Sequence, residues 1–302
     1  MTHPMPISST EGMLLGPLDA RLQLDLQHAQ DLLKGVRIPP RSTVLVKVLD
    51  EQARPEPDIE RIAELIGSDV ALSAGMLKIV NSPVFGLSRR VGSIHHAVRL
   101  LGVDNVVNVV TGLMLHEAFK VRSSRFLDAF WASANRLAAA SALVARRCST
   151  EIADEAYAAG LLADCGVPVL LRRFPDTYQA VYADALRATD RSVTACEQAQ
   201  LGTDHAVIGY LVSRTWKLPP LLSECILHHH DTHDYFTDPE PERAHLVTLL
   251  AVLKLAGRIQ RSLDGLDPGY DWAQVGEAVM VFLGLTEEDV PELQQQVAAL
   301  PV

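Results

Sequence analysis

The apolar positions recur with helical spacing from the first ordered stretch onward. In residues 19–34, Leu22, Leu26, Ala29 and Leu33 fall on one face, and Gly35 supplies a stop. Ser42 or Thr43 is placed to cap a second helix whose Val44, Leu45, Val48 and Leu49 face inward. Asp58 caps a third with Ile59, Ile62, Ala63 and Ile66 as its stripe and Gly67 as its terminator. A fourth begins at Asp69, carries Val70, Ala71, Met76, Leu77 and Val80, and stops at Asn81-Ser82-Pro83. The Val-rich text over 103–110 favours strand on propensity, but Gly102 and Asp104 bracket a helix start, and Val106, Val109 and Val110 keep helical spacing.

The second half reads the same way. An Ala-rich helix is expected over 126–148, then one over 151–165 and one over 176–188. Asp204 caps a helix that turns Ala206, Val207, Tyr210 and Leu211 inward. Pro219-Pro220 opens another, which ends in His228-His229-His230-Asp231, and 234–241 reads as a loop. A long helix over 242–263 and two more complete the chain, the last capped by Thr286 with Glu287 and Glu288 in its first turn. The expected fold class is all-α: a tail over 1–18, an N-terminal helical lobe over 19–124, a second lobe over 125–235, and C-terminal helices over 236–302.

Composition narrows the function. Apolar residues make up 48% and charged residues 21%, which suits a globular chain, and aromatics are only 5%. The formal charge of −10 repels a phosphate backbone, and the basic groups Arg89-Arg90, Arg146-Arg147 and Arg172-Arg173 are small, so no nucleic-acid partner is expected. The four cysteines form no Cys-x-x-Cys pair, which argues against a zinc ribbon or a redox motif. No export signal is legible, and the best apolar run, 246–253, is short and followed by Lys254, so a soluble cytoplasmic protein without a membrane partner is expected. Dinucleotide, phosphate-loop and nucleophile-elbow signatures are absent.

The most specific text lies between Ile38 and Gly102. It holds Ile38-Pro39-Pro40, the Ile-rich Ile62 to Asp69 stretch, the turn Asn81-Ser82-Pro83-Val84-Phe85-Gly86, and a helix that closes on Leu100-Leu101-Gly102. In order and spacing this resembles the opening half of the HDOD family, the HD-related output domain of bacterial signalling proteins. The turn reads first as structural, with Asn81, Ser82 and Phe85 as partner-binding candidates at its tip. His95-His96 reads as a solvated or half-buried helix pair beside Ile94, Ala97 and Leu101.

The second half resembles the HD superfamily, a helical bundle in which His and Asp ligands hold metal ions that hydrolyse phosphate esters. The resemblance implies a first histidine at Ser133, a His-Asp pair at Ala163-Asp164 within Gly160-Leu161-Leu162-Ala163-Asp164-Cys165-Gly166, and a last aspartate near Val252. Three expected ligands are therefore replaced, so no metal site and no catalytic residue is expected, and Asp164, His205, His229 and His230 are the residual candidates should a metal be held. Their bland readings are a capping role for Asp164, a first-turn position for His205, and an exposed helix end for His228 to Asp231. The resemblance implies a non-catalytic regulatory protein with no cofactor that acts through signalling protein partners. Its input is expected from a separate partner or from a ligand in the cleft. The alternatives are a residual phosphohydrolase and an inert sensor holding a nucleotide ligand in the relic cleft with help from Arg136, Arg172 or Arg173.

Overall fold

The computed structural model describes residues 20–34, 38–85, 87, 89–119, 124–148, 152–237 and 240–300, and among these every regular element is a helix. The expected tail over 1–18, the stop at Gly35, the turn glycine Gly86 and the helix start at Glu151 lie outside the described residues.

The N-terminal helices begin where the sequence supplies capping oxygens. α1 (Ala20–Leu32) buries Leu26 and Ala29. Ser42 caps α2 (Thr43–Gln52) by accepting Leu45 N–H at 3.2 Å, and Asp58 caps α3 (Ile59–Gly67) by accepting from Glu60 and Arg61. Asp69 caps α4 (Val70–Val80) and Ser93 caps α5 (Ile94–Leu101) in the same manner, each contact contributing about 1 kcal/mol. α6 (Val103–Phe119) confirms helix over the Val-rich stretch, burying Val106, Val107, Val109 and Val110. Ile59 and Val70 are not core residues: they are 39% and 84% exposed, because each directly follows its cap on the helix rim. The inward faces start later, at Ile62 and Leu72. His95 and His96 are exposed, with His95 Nε2 3.4 Å from Glu60.

The turn after α4 is a clamp. Asn81 Nδ2 donates to Leu77 O at 2.7 Å and Val91 O at 2.8 Å, while its Oδ1 accepts Val91 N–H at 2.7 Å. Its φ of −83° is not left-handed, so asparagine is needed for its amide rather than for unusual backbone. Ser82 Oγ accepts from Val84 N–H. The expectation that Phe85 offers a solvent-facing contact is overturned: Phe85 is 3% exposed, with its ring 5.5 Å from that of Tyr157. An aromatic at this turn gains more from burial beneath the second half than from water.

The second half opens with α7 (Arg125–Cys148) against α8 (Ala153–Leu162). The Ala-rich text has a packing reason, since a Cβ on Gly160 would lie 2.8 Å from Ala138 Cα, so only small residues permit this approach. α9 (Val167–Arg173) and α11 (Val193–Leu201), which periodicity did not suggest, flank the expected α10 (Tyr178–Arg187). Asp204 caps α12 (His205–Thr215), and α13 (Pro220–His228) follows Pro219. The expected loop over 234–241 contains a short helix, α14 (His233–Thr237). α15 (Ala244–Leu263) is buried along most of its length and is followed by α16 (Tyr270–Leu283). The last helix, α17 (Val290–Ala298), starts after the expected Thr286 cap: Asp289 accepts Thr286 N–H and Oγ1–H in a turn, and Pro291 fits the first helical turn.

One apolar core runs from Leu26 to Val297 through both halves. Trp216, 1% exposed, ties α12 to the N-terminal part by donating Nε1–H to Pro39 O at 2.9 Å. The closest approach in the second half is at Gly166, where a Cβ would lie 2.1 Å from His205 O and 2.7 Å from Gly209 N. That glycine lets the turn after α8 press against the start of α12.

Replacing Asn81 by leucine strands the amide and carbonyls it satisfies, and is expected to lower the urea unfolding free energy by about 2 kcal/mol. A change under about 0.5 kcal/mol, the range of neutral surface substitutions, would show that the clamp is dispensable. Gly166→Ala is expected to cost about 1–3 kcal/mol by the same measurement, as overpacking does.

Candidate functional site

Three helix ends meet beneath α15. The turn after α8 carries Asp164, α12 begins with His205, and α13 ends into His229 and His230. One ligand atom from each of these four residues lies within 4.8 Å of all the others. Asp164 Oδ1 is 3.2 Å from both His205 Nε2 and His229 Nε2, and those two nitrogens are 3.3 Å apart. The residual candidates named from the sequence are thus brought together by the fold, though they are spread along the chain from Asp164 to His230.

The outer nitrogen of each ring has its own partner. His205 Nδ1 is 2.7 Å from Glu197 Oε2, His229 Nδ1 is 2.7 Å from Ile226 O, and His230 Nδ1 is 2.5 Å from Asp271 Oδ2. A carbonyl or an ionised carboxylate only accepts, so each Nδ1 carries hydrogen. Burial favours a neutral Glu197, but the charge and hydrogen bonds of His205, with the hydroxyl of Tyr178 at 2.6 Å, hold its carboxyl below the usual range. Burial likewise opposes the charge of Asp164, yet the neighbouring imidazoles, His205 foremost, hold it well below the ordinary carboxylate value.

The inner nitrogens then face one another and a carboxylate oxygen. Three lone pairs within 3.3 Å repel unless a positive charge sits among them. Without an ion that charge is a proton: burial disfavours it on His205, but Glu197 and Asp164 outweigh burial and raise that imidazole well above its ordinary value. Three imidazole nitrogens and one carboxylate oxygen, each ring oriented by an acceptor behind it, also fit one divalent first-row metal ion. The donor set is complete for a single ion.

The replaced ligand positions do not extend it. Ser133 and Ala163 line the neighbouring wall, and Ser133 Oγ accepts from the Gln260 amide. Val252 is fully buried in the core, and α15 instead turns Lys254, Arg258 and Arg261 towards the cavity. Lys254 Nζ donates to Asp271 Oδ2 at 3.0 Å and to His230 O at 3.1 Å, and burial lowers its basicity against the pull of Asp271.

The expectation of an exposed helix end over 228–231 is corrected for three residues, His229 being buried and His228 and His230 half-buried, while Asp231 is exposed. His229 is 9% exposed, and burial pushes His230 down to about 4. The cause is the packing of α15 and α16 across the end of α13. His205, although in a first helical turn, is fully buried.

The cluster floors a cavity of about 660 Å³ whose walls include Phe126, Tyr182, Arg136, Arg258, Arg261 and Trp272. Of the three arginines considered from the sequence, Arg136 faces the cavity, whereas Arg173 donates to Leu32 O and Arg172 lies over the Phe119 ring. Sequence reasoning missed Glu197, Lys254 and Asp271. A signal existed for Lys254 alone, as the one cation inside an otherwise apolar helical run. Among the described residues, no helix is long and apolar enough to cross a membrane.

Comparison with known proteins agrees with this architecture. The HDOD domain pattern matches residues 38–232. An uncharacterized protein of Treponema pallidum (strain Nichols) is 26% identical over 262 residues, which is 83% of this chain and 47% of that protein, so the chain spans about half the length of that relative. The crystal structure of an HDOD domain protein of unknown function from Geobacter sulfurreducens superposes with a TM-score of 0.64 at 20% identity, covering 92% of this chain and 98% of the other. A candidate phosphohydrolase from Shewanella amazonensis gives a TM-score of 0.62 at 21% identity, covering 94% and 95%. With the HDOD pattern matched over most of its length, the chain belongs to the HDOD domain family.

Proposed function

We propose that this chain is a regulatory module of bacterial signalling that works through protein contacts and does not hydrolyse phosphate esters. The observation that carries the reading is the donor set at the cavity floor. Four side chains suffice for one ion, while the adjoining wall presents Ser133 and Ala163, which offer no second set of ligands. Hydrolysis by paired ions needs both attacking and leaving oxygens held, and a lone four-ligand ion leaves little room for either.

A second reading, an inert sensor that holds a nucleotide, is favoured by the size of the cavity and by its arginines. Those arginines are already engaged. Arg258 pairs with Glu287 and lies over the Trp272 ring, Arg261 donates to Asp267 O and Leu186 O, and Arg136 reaches Asp264. A phosphate group would have to displace these partners, so protein contact remains the leading reading.

Purified protein supplied with Mn²⁺, Zn²⁺ or Ni²⁺ is expected to cleave bis-p-nitrophenyl phosphate no faster than its His205→Ala variant. Turnover by the wild type that disappears in His205→Ala, with the helical circular dichroism kept, would overturn the non-hydrolytic reading. Calorimetry against mononucleotides and cyclic dinucleotides is expected to give dissociation constants no tighter than about 1 mM, and micromolar binding would favour the sensor instead.

A further inference from the structure

The wall that completes the cavity comes from α15 and α16, beyond residues 38–232 over which the family pattern runs. Asp271 stands in the first turn of α16, where a carboxylate is favoured by the exposed N–H groups of the helix start. Its Oδ2 accepts two hydrogens, one from His230 Nδ1 at 2.5 Å and one from Lys254 Nζ at 3.0 Å. The same ammonium also donates to His230 O at 3.1 Å, so Lys254 holds both the backbone of His230 and the acceptor behind its ring. The buried Lys254 ammonium 3.0 Å away is the counter-charge of a carboxylate, and a carboxylate only accepts.

A neutral imidazole has one hydrogen to place. In His230 that hydrogen sits on Nδ1, towards Asp271, which leaves Nε2 as the lone pair this ring has to offer, and the His205 and His229 rings lie 4.9 Å and 4.2 Å away between centroids. We propose that Asp271 is a positioning residue that fixes this tautomer and thereby makes His230 the fourth donor, with Asp164, His205 and His229, to a single divalent transition-metal ion. The inference rests on the single-ion reading of the cluster. It makes the completeness of the site depend on α16.

The test begins with the metal-free protein. Long-range ¹H–¹⁵N correlation of the imidazoles near pH 7.5 is expected to show His230 with hydrogen on Nδ1, retained in Asp271→Asn, whose side-chain carbonyl still accepts, and moved towards Nε2 in Asp271→Leu. Titration with Co²⁺, followed by its visible ligand-field bands, is expected to saturate at one equivalent in the wild type. Affinity should fall about 10–100-fold in Asp271→Leu and recover substantially in Asp271→Asn. Circular dichroism confirms that each variant keeps its helices.

A wild-type His230 with hydrogen on Nε2, or a tautomer unaltered by Asp271→Leu, would overturn the proposal. So would failure of the wild type to bind Co²⁺. A merely structural Asp271 would weaken binding without moving the tautomer, which the imidazole spectra detect directly. Phosphodiester turnover found alongside the expected spectra would refute the non-hydrolytic reading and leave this one standing.

Discussion

Three hydrogen-bond acceptors forced together in a buried pocket cannot stay there unaccompanied, and that constraint organises the second half of this protein. Asp164 Oδ1 and the Nε2 atoms of His205 and His229 lie within 3.3 Å of one another. A proton or a metal ion must lie among them, because burial weakens the dielectric screening that would otherwise tolerate such crowding. Glu197, Ile226 O and Asp271 stand behind the three histidines and decide where their hydrogens sit.

The scaffold explains how such a site persists. Asp164 reaches α12 only because Gly166 carries no side chain, and α8 lies close along α7 because alanine and glycine line the contact. Asp204 fixes the start of α12, and so the position of His205, through two hydrogen bonds of 2.9 Å. Lys254 and Asp271 close the other side from a part of the chain outside the matched domain. Site geometry here is a product of helix ends, which expose unpaired backbone groups and can be aimed precisely by caps and close packing.

The N-terminal half shows how a recognisable motif can serve structure rather than contact. The amide of Asn81 satisfies three backbone groups, one on Leu77 and two on Val91, and Phe85 is spent against Tyr157. Text that looked like an exposed tip is the seam between the two halves. The exposed polar pair His95-His96, in contrast, lies where its helical spacing put it.

Helix existence, most N-terminal caps and the family pattern were legible in the residues alone, since periodicity and capping are local properties carried by neighbours in the chain. So were the four candidate donors. Periodicity did not suggest α9 and α11, which are short, although Ser192 and Gly202 cap the two ends of α11. Local text could not say that Phe85 is covered, that His229 and His230 lie under α15 and α16, or that Glu197 and Asp271 back the histidines. Those facts depend on which distant segments share a cavity, and only the folded chain brings Asp164, His205 and Asp271 within reach of one another, because a side chain's partners are set by the packing of helices and not by the spacing of letters.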